Sequence, residues 1–206
     1  MKPLKVLLIF WISNLSAAYG SGNWTIEYVG SHELNFEMPD FGGLSAITIG
    51  QSGNSFVTIS DKGKYFEGNI LRDSNGKIQN FKIINNGSLL DSSGEILSGR
   101  NTDSESVTKT HGRGFYVAFE SNHRIMLHKT LDSAGTFLPR HSDFKQFRSN
   151  KGLEAIAANS KGEIFAIPEE PPANGVDFPI YKLNGDKWFI FGRFPKSGSF
   201  NVTEAT

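Results

Sequence analysis

One short passage of sequence is written twice in this chain. "GLSAITIGQSGNSFVTISD" starts at Gly43 and "GLEAIAANSKGEIFAIPEE" starts at Gly152. At a constant offset of 109, Gly43 falls on Gly152, Leu44 on Leu153, Ala46 on Ala155, Ile47 on Ile156 and Phe56 on Phe165. A third copy, "DSESVTKTHGRGFYVAFESNHR" from Asp103 to Arg124, follows the first at an offset of 60 and sets Val107 on Ile47, Tyr116 on Phe56 and Glu120 on Ser60. A fourth opens in "NVTEAT", where Glu204 stands as Glu154 does in "KGLEAI". Such repetition restricts the fold severely, because each copy has to be one supersecondary unit that buries its apolar face against the next.

Each copy holds an alternating apolar strand, a turn containing glycine and a second strand: "SFVTIS", "FYVAFE" and "IFAIPE". Further strands are expected at Ile83–Leu90, Arg124–His128, Ile180–Leu183 and Trp188–Phe194, with Asn184-Gly185 marking a tight hairpin. Repeats of about 50 residues with three or four strands have the length of β-propeller blades. The alternative is a β-sandwich with recurring hairpins. The shared frame and spacing favour an all-β chain, a β-propeller that is incomplete, with three to four blades. Blades related by rotation bring equivalent positions to one axis, so Ser45, Glu105, Glu154 and Glu204 are expected to face one another. Carboxylates held together there repel unless a cation or a basic side chain sits among them.

Residues 1–20, "MKPLKVLLIFWISNLSAAYG", carry two lysines, an apolar run from Val6 to Ile12 and small residues near Ala18 and Gly20. That is the layout of a secretory signal peptide, and the apolar run is too short to span a bilayer. The expected organisation is a signal peptide at 1–20 and one propeller domain at 21–206, in a protein exported to the periplasm or the extracellular space. Without the leader, 19 basic residues face 21 acidic ones. This balance offers no electrostatic footprint for nucleic acid or an anionic membrane. Cysteine is absent, so disulfides and thiol chemistry are excluded.

Glu105 and Glu154 are the leading candidate ligands for a hard cation, with Ca²⁺ the expected ion, since such ions select oxygen donors. Asp61, Glu120 and Glu169 end or follow second strands and join them as candidate catalytic carboxylates, with Glu170 a weaker one. Arg124, after "ESNH", suits bidentate capture of a phosphate or carboxylate, or else an ion pair closing the acidic rim; Lys62 in "SDKG" is a second candidate cation. His111 and His123 are candidate bases. "EEPPANG" at 169–175 reads as a connector that could overhang the channel. No G-x-S-x-G elbow is present, which argues against an α/β-type serine hydrolase.

Six motifs, "FGGLSAI" (41–47), "SDKG" (60–63), "DSESV" (103–107), "FESNHRI" (119–125), "NKGLEAIA" (150–157) and "IPE" (167–169), resemble in order those of the phytase-like family described as having esterase-like activity. This is a group of exported bacterial β-propeller proteins. The resemblance implies hydrolysis of phosphate or carboxylic esters and a small anionic substrate, in a monomer free of the membrane after leader cleavage. Members of that family carry more blades than this chain can hold, so the domain is expected to be truncated at its C-terminus. The competing function is a non-catalytic propeller that binds a ligand or protein on its rim.

Overall fold

The structure is a computed structural model that describes Thr25, Glu27, Tyr28 and residues 30–206 except His111, Ala173 and Asn174. The segment 1–20 expected to be a signal peptide, and His111, therefore lie outside the described residues. The chain divides into two compact units, Met1–Ser31 and His32–Thr206. In the first, the Tyr28 hydroxyl donates to Ser31 Oγ at 3.1 Å. The second carries the repeats and, among the described residues, is all-β, with no helix long and apolar enough to cross a membrane.

Twelve strands form three four-stranded antiparallel meanders. Blade 1 is β1 (Leu44–Ile49), β2 (Ser55–Ser60), β3 (Lys64–Arg72) and β4 (Ile78–Ser88). Blade 2 is β5 (Ser104–Thr110), β6 (Gly114–Phe119), β7 (Arg124–His128) and β8 (Gly135–Phe137). Blade 3 is β9 (Ala155–Ala158), β10 (Ile164–Ile167), β11 (Asp177–Asn184) and β12 (Lys187–Pro195). Each copy of the repeat supplies the first two strands of a blade, as the spacing predicts. The first strands β1, β5 and β9 lie side by side. Direct bonds join them: Ser104 Oγ donates to the Ser60 carbonyl at 2.6 Å, and the Ile156 N–H donates to Ser106 Oγ at 3.0 Å.

The apolar pattern follows from blade position. In β6, "GFYVAF" has five consecutive buried residues because blade 2 is covered on both faces. Its Val117 and Phe119 pack with Val57, Ile59 and Tyr65 of blade 1. Its Tyr116 and Ala118 pack with Ile156, Ile164, Ala166, Tyr181 and Trp188 of blade 3. β10 by contrast alternates, its Ile164 and Ala166 buried and its neighbours half-exposed, so blade 3 is covered on one face. The outer face of blade 1 is covered by the chain before β1, where Phe41 meets Phe66 edge-on at 4.9 Å and Phe36 meets Phe41 at 5.0 Å. Among the described residues the three blades form no closed ring. Residues 201–206, expected to open a fourth copy, belong to no strand; Val202 N–H bonds the Glu169 carbonyl at 3.2 Å.

Strand pairing corrects the repeat alignment by one residue in its second half. Ile49 pairs with Phe56 across the first hairpin, whereas Lys109 pairs with Phe115 and Ala158 with Ile164. The first turn is thus one residue longer than the other two. Phe115 and Ile164, not Tyr116 and Phe165, stand where Phe56 stands, and Glu120 takes the place of Asp61, not Ser60.

Candidate functional site

Two backbone devices aim acidic side chains at the same end of the blades. The first is a bulge: register shifts between Leu44 and Ala46 in β1 and between Ser104 and Ser106 in β5, leaving Ser45 and Glu105 as the extra residues. A bulge releases one residue from the ladder and re-aims its side chain. Glu154 precedes β9 at the equivalent place. The second is the residue just past each second strand. Its N–H bonds the carbonyl two residues before the bulge position: Asp61 to Gly43 at 3.0 Å, Glu120 to Asp103 at 2.8 Å and Glu169 to Gly152 at 2.8 Å.

Blades 2 and 3 bring their acids together around Glu120. Carboxylate oxygens of Asp103, Glu105 and Glu120 lie within 4.8 Å of one another, as do those of Glu120, Glu154 and Glu169. Glu105 and Glu154, read together from the repeat, thus sit in two adjoining groups joined by Glu120. Glu120 is buried at 4% exposure, and its Oε1 accepts from the Gly152 N–H at 2.5 Å. Burial, then Asp103 and Glu120, push Glu105 up to about 8. Burial, then Glu105, Glu120 and Glu169, likewise push Glu154 up to about 8. Burial also raises Glu120, against the Gly152 N–H, which lowers it. Raised in this way, Glu105 and Glu154 favour the protonated form at neutral pH. Glu169 is closed off differently, by Lys151 Nζ at 2.5 Å and Asn201 Nδ2 at 2.9 Å.

The remaining candidates fall elsewhere. Asp61 is exposed and belongs to neither group. Glu204 is exposed as a whole residue, yet its carboxyl tip accepts from Ser106 Oγ at 3.1 Å, and crowding by the surrounding chain pushes it up to about 7. Glu170 lies 3.8 Å from Arg148. Arg124 is 2% exposed and lies over the Phe119 ring at 3.9 Å. It donates to the carbonyls of Asn101 at 2.6 Å and Asn122 at 3.3 Å. Desolvation and the nearby Arg140 lower it to about 10. His123 is buried, with Nε2 on the Arg148 carbonyl at 2.9 Å. Lys62 is exposed. Asp103 and Lys151 were not singled out from sequence, although Asp103 opens the repeat motif "DSESV"; only the bulge within blade 2 brings it together with Glu105 and Glu120.

Ser121 is one of two non-glycine residues with positive φ among the described ones, at 54°. It is held there by its N–H on the Ser149 carbonyl at 2.7 Å and by its Oγ on Asp103 Oδ2 at 2.8 Å. Such left-handed residues persist only where neighbours over-determine them, and they concentrate at functional sites.

No curated protein matches this sequence. Among solved structures, the β-propeller domain of Cps50 (Swd1) from Myceliophteria thermophila aligns at 13% identity with a TM-score of 0.39, covering 78% of this chain and 45% of that one. The sequence itself matches the family described as "Phytase-like: Esterase-like activity of phytase" over residues 39–201, a span that takes in all three blades and every member of both acidic groups. The chain belongs to the phytase-like family.

Proposed function

We propose that this protein is an exported, cation-assisted hydrolase of phosphate or carboxylic esters, with its reaction centre at the carboxyl cluster where blades 2 and 3 meet. The observation that carries this is the convergence of acidic side chains from two blades on Glu120. Four carboxyl groups from two blades crowd around Glu120, and burial together with the neighbouring carboxylates raises two of them, Glu105 and Glu154, to about 8. An all-oxygen donor set of this kind fits Ca²⁺. Asp103, Glu105 and Glu120 would hold it, because in the adjoining group Glu169 is already engaged by Lys151 and Asn201. Such a cation supplies polarisation of an ester oxygen and a more acidic water.

The chain's own groups would do the rest. Glu154 keeps a proton at neutral pH and lies against Glu120, so it is suited to protonate a departing alkoxide. The Gly152 N–H fixes the Glu120 carboxylate from the opposite side. Arg124, enclosed and tied to two carbonyls, braces the Asn101–Asn122 turns rather than meeting substrate.

The test is thermal unfolding and hydrolysis of p-nitrophenyl phosphate and p-nitrophenyl acetate, each with Ca²⁺ and with chelator. Stabilisation by Ca²⁺ together with Ca²⁺-dependent turnover, both lost in Glu105→Gln, is expected. Stabilisation without turnover of either ester would leave a cation-binding propeller that is not an enzyme.

A further inference from the structure

A cationic cavity opens beside the acidic cluster. It has a volume of about 360 Å³ and lies between the turn Ser121–His123 and the 3-10 turn Ser142–Gln146. Arg140, Lys145 and Asn122 line it, and the half-buried Phe147, backed by the buried Phe144 ring, forms an apolar wall. We infer that this cavity binds an oxyanion carried on a compact apolar body, an aromatic phosphate or carboxylate, and so names the anionic part of the ester. This rests on the ester-hydrolase reading only for its link to turnover.

Charge and geometry both favour an anion there. Neither Arg140 nor Lys145 has an acidic partner within 4.0 Å among the described residues. Arg140 Nη2 donates to Asn122 Oδ1 at 3.0 Å, which orients the guanidinium and leaves its other N–H donors available. Arg124 lies close enough for the two positive charges to oppose each other, and an anion at the mouth relieves both. The nearest acids pair with neither cation: Asp143 accepts from the Tyr181 hydroxyl at 2.8 Å and Asp103 from Ser121 Oγ at 2.8 Å. Ser121 also lines the cavity, so one residue touches both the anion pocket and the carboxyl cluster. The anion pocket and the acidic group are therefore linked through Ser121. The Phe144–Phe147 wall prefers a flat apolar body to a fully hydrated ion.

The experiment is calorimetric titration of the full chain in chelator with phenyl phosphate, benzoate and inorganic phosphate, using wild type, Arg140→Ala/Lys145→Ala and Glu105→Gln. Phenyl phosphate or benzoate is expected to bind the wild type at least tenfold more tightly than the double variant, and more tightly than inorganic phosphate binds. The stronger of the two organic probes identifies the oxyanion. Affinity should weaken as salt rises. Both substituted residues are exposed, so the fold is retained, and circular dichroism checks it. Arg140→Lys is expected to recover part of the affinity. Equal binding by the double variant and wild type, or no binding of any probe by wild type, overturns the inference. Glu105→Gln separates it from the proposed function. That variant keeps metal-free binding, so a wild type that binds phenyl phosphate yet ignores Ca²⁺ refutes the hydrolase reading and spares the pocket.

Discussion

Blades 1 and 2 build the same backbone and put opposite chemistry on it. Both first strands bulge at the same place, with Ser45 in one and Glu105 in the other. Both second strands end on a residue whose N–H returns to the start of the blade, Asp61 to Gly43 and Glu120 to Asp103. Yet Asp61 is exposed, while Glu120 is enclosed and takes the N–H of Gly152 from blade 3. The difference arises from the neighbour. Asp103 stands where blade 3 has Gly152, so a carboxylate faces Glu120 on one side and a bare backbone donor on the other. Repetition fixes where a side chain emerges, and the adjoining blade decides whether it becomes a surface charge or part of a proton-holding cluster.

The largest effect should come from exchanging the paired acids. Glu120→Gln keeps an acceptor for the Gly152 N–H but removes the carboxylate common to both groups. Ca²⁺ at a hundredfold excess over its Kd stabilises a folded protein by about 2.7 kcal/mol, roughly 5–10 °C in Tm for a chain of this size. Glu120→Gln should lose that whole shift in scanning calorimetry, and Asp61→Asn should lose none. Equal losses would erase the distinction between the blades.

Next come the glycines at the start of each copy. A Cβ on Gly152 would lie 2.0 Å from His123 Nδ1, in the packed wall beneath the cluster. Gly152→Ala should destabilise by about 1–3 kcal/mol in urea denaturation, the usual cost of overpacking. A Cβ on Gly43 would lie 2.3 Å from Asp61 Oδ1, at φ 61°. There the carboxylate is exposed and can swing away, leaving the left-handed backbone cost of about 1–2 kcal/mol. Gly152→Ala should also weaken Ca²⁺ binding, because its N–H positions Glu120; Gly43→Ala should not.

The pH dependence is the third test. Glu105 and Glu154 are raised from 4.5 to about 8 in the folded state. Below pH 4.5 they are protonated in both states and make no difference. As pH rises toward 8 the unfolded chain releases these protons before the folded one, so their contribution to stability falls through that window. Above pH 8 the folded cluster is fully ionised and the penalty is complete. The Tm gain from Ca²⁺ should therefore grow from pH 5 to pH 9. In Glu105→Gln/Glu154→Gln the metal-free protein should lose less stability over the same range.

These contrasts also mark how far the sequence could be read. Glycine, leucine, alanine and isoleucine in register give the blades, and the bulge positions Ser45 and Glu105 and the equivalent Glu154 follow from the same ungapped frame. The frame slips at the first hairpin, because one additional turn residue leaves the apolar pattern looking unbroken across β2. That slip hid the equivalence of Asp61, Glu120 and Glu169. Asp103 was hidden for another reason: its partner Glu105 is two residues away, and only the bulge turns both toward Glu120. Arg124 looked available beside Glu120, but β7 carries it inward onto Phe119. Arg140 and Lys145 lie outside every repeat, in a connection whose course is set by packing rather than by periodicity.

The smallest predicted effect is at Ser45, the position where blade 1 lacks an acid. Ser45 hydrogen-bonds Glu105 and lowers its pKa, against the larger effects of burial, Asp103 and Glu120. It is therefore a donor that favours the charged form. Removing it in Ser45→Ala should lift Glu105 above about 8, so that at pH 7 a smaller fraction is ionised and available to a cation. A single hydrogen bond contributes about 0.5–1.5 kcal/mol, so the Ca²⁺ Kd from calorimetry should weaken by roughly two- to tenfold at pH 7. At pH 9.5, where Glu105 ionises with or without that donor, wild type and variant should converge. Ser45→Ala that binds Ca²⁺ as wild type does at both pH values would mean that blade 1 takes no part in the cluster, and that blades 2 and 3 alone set its charge.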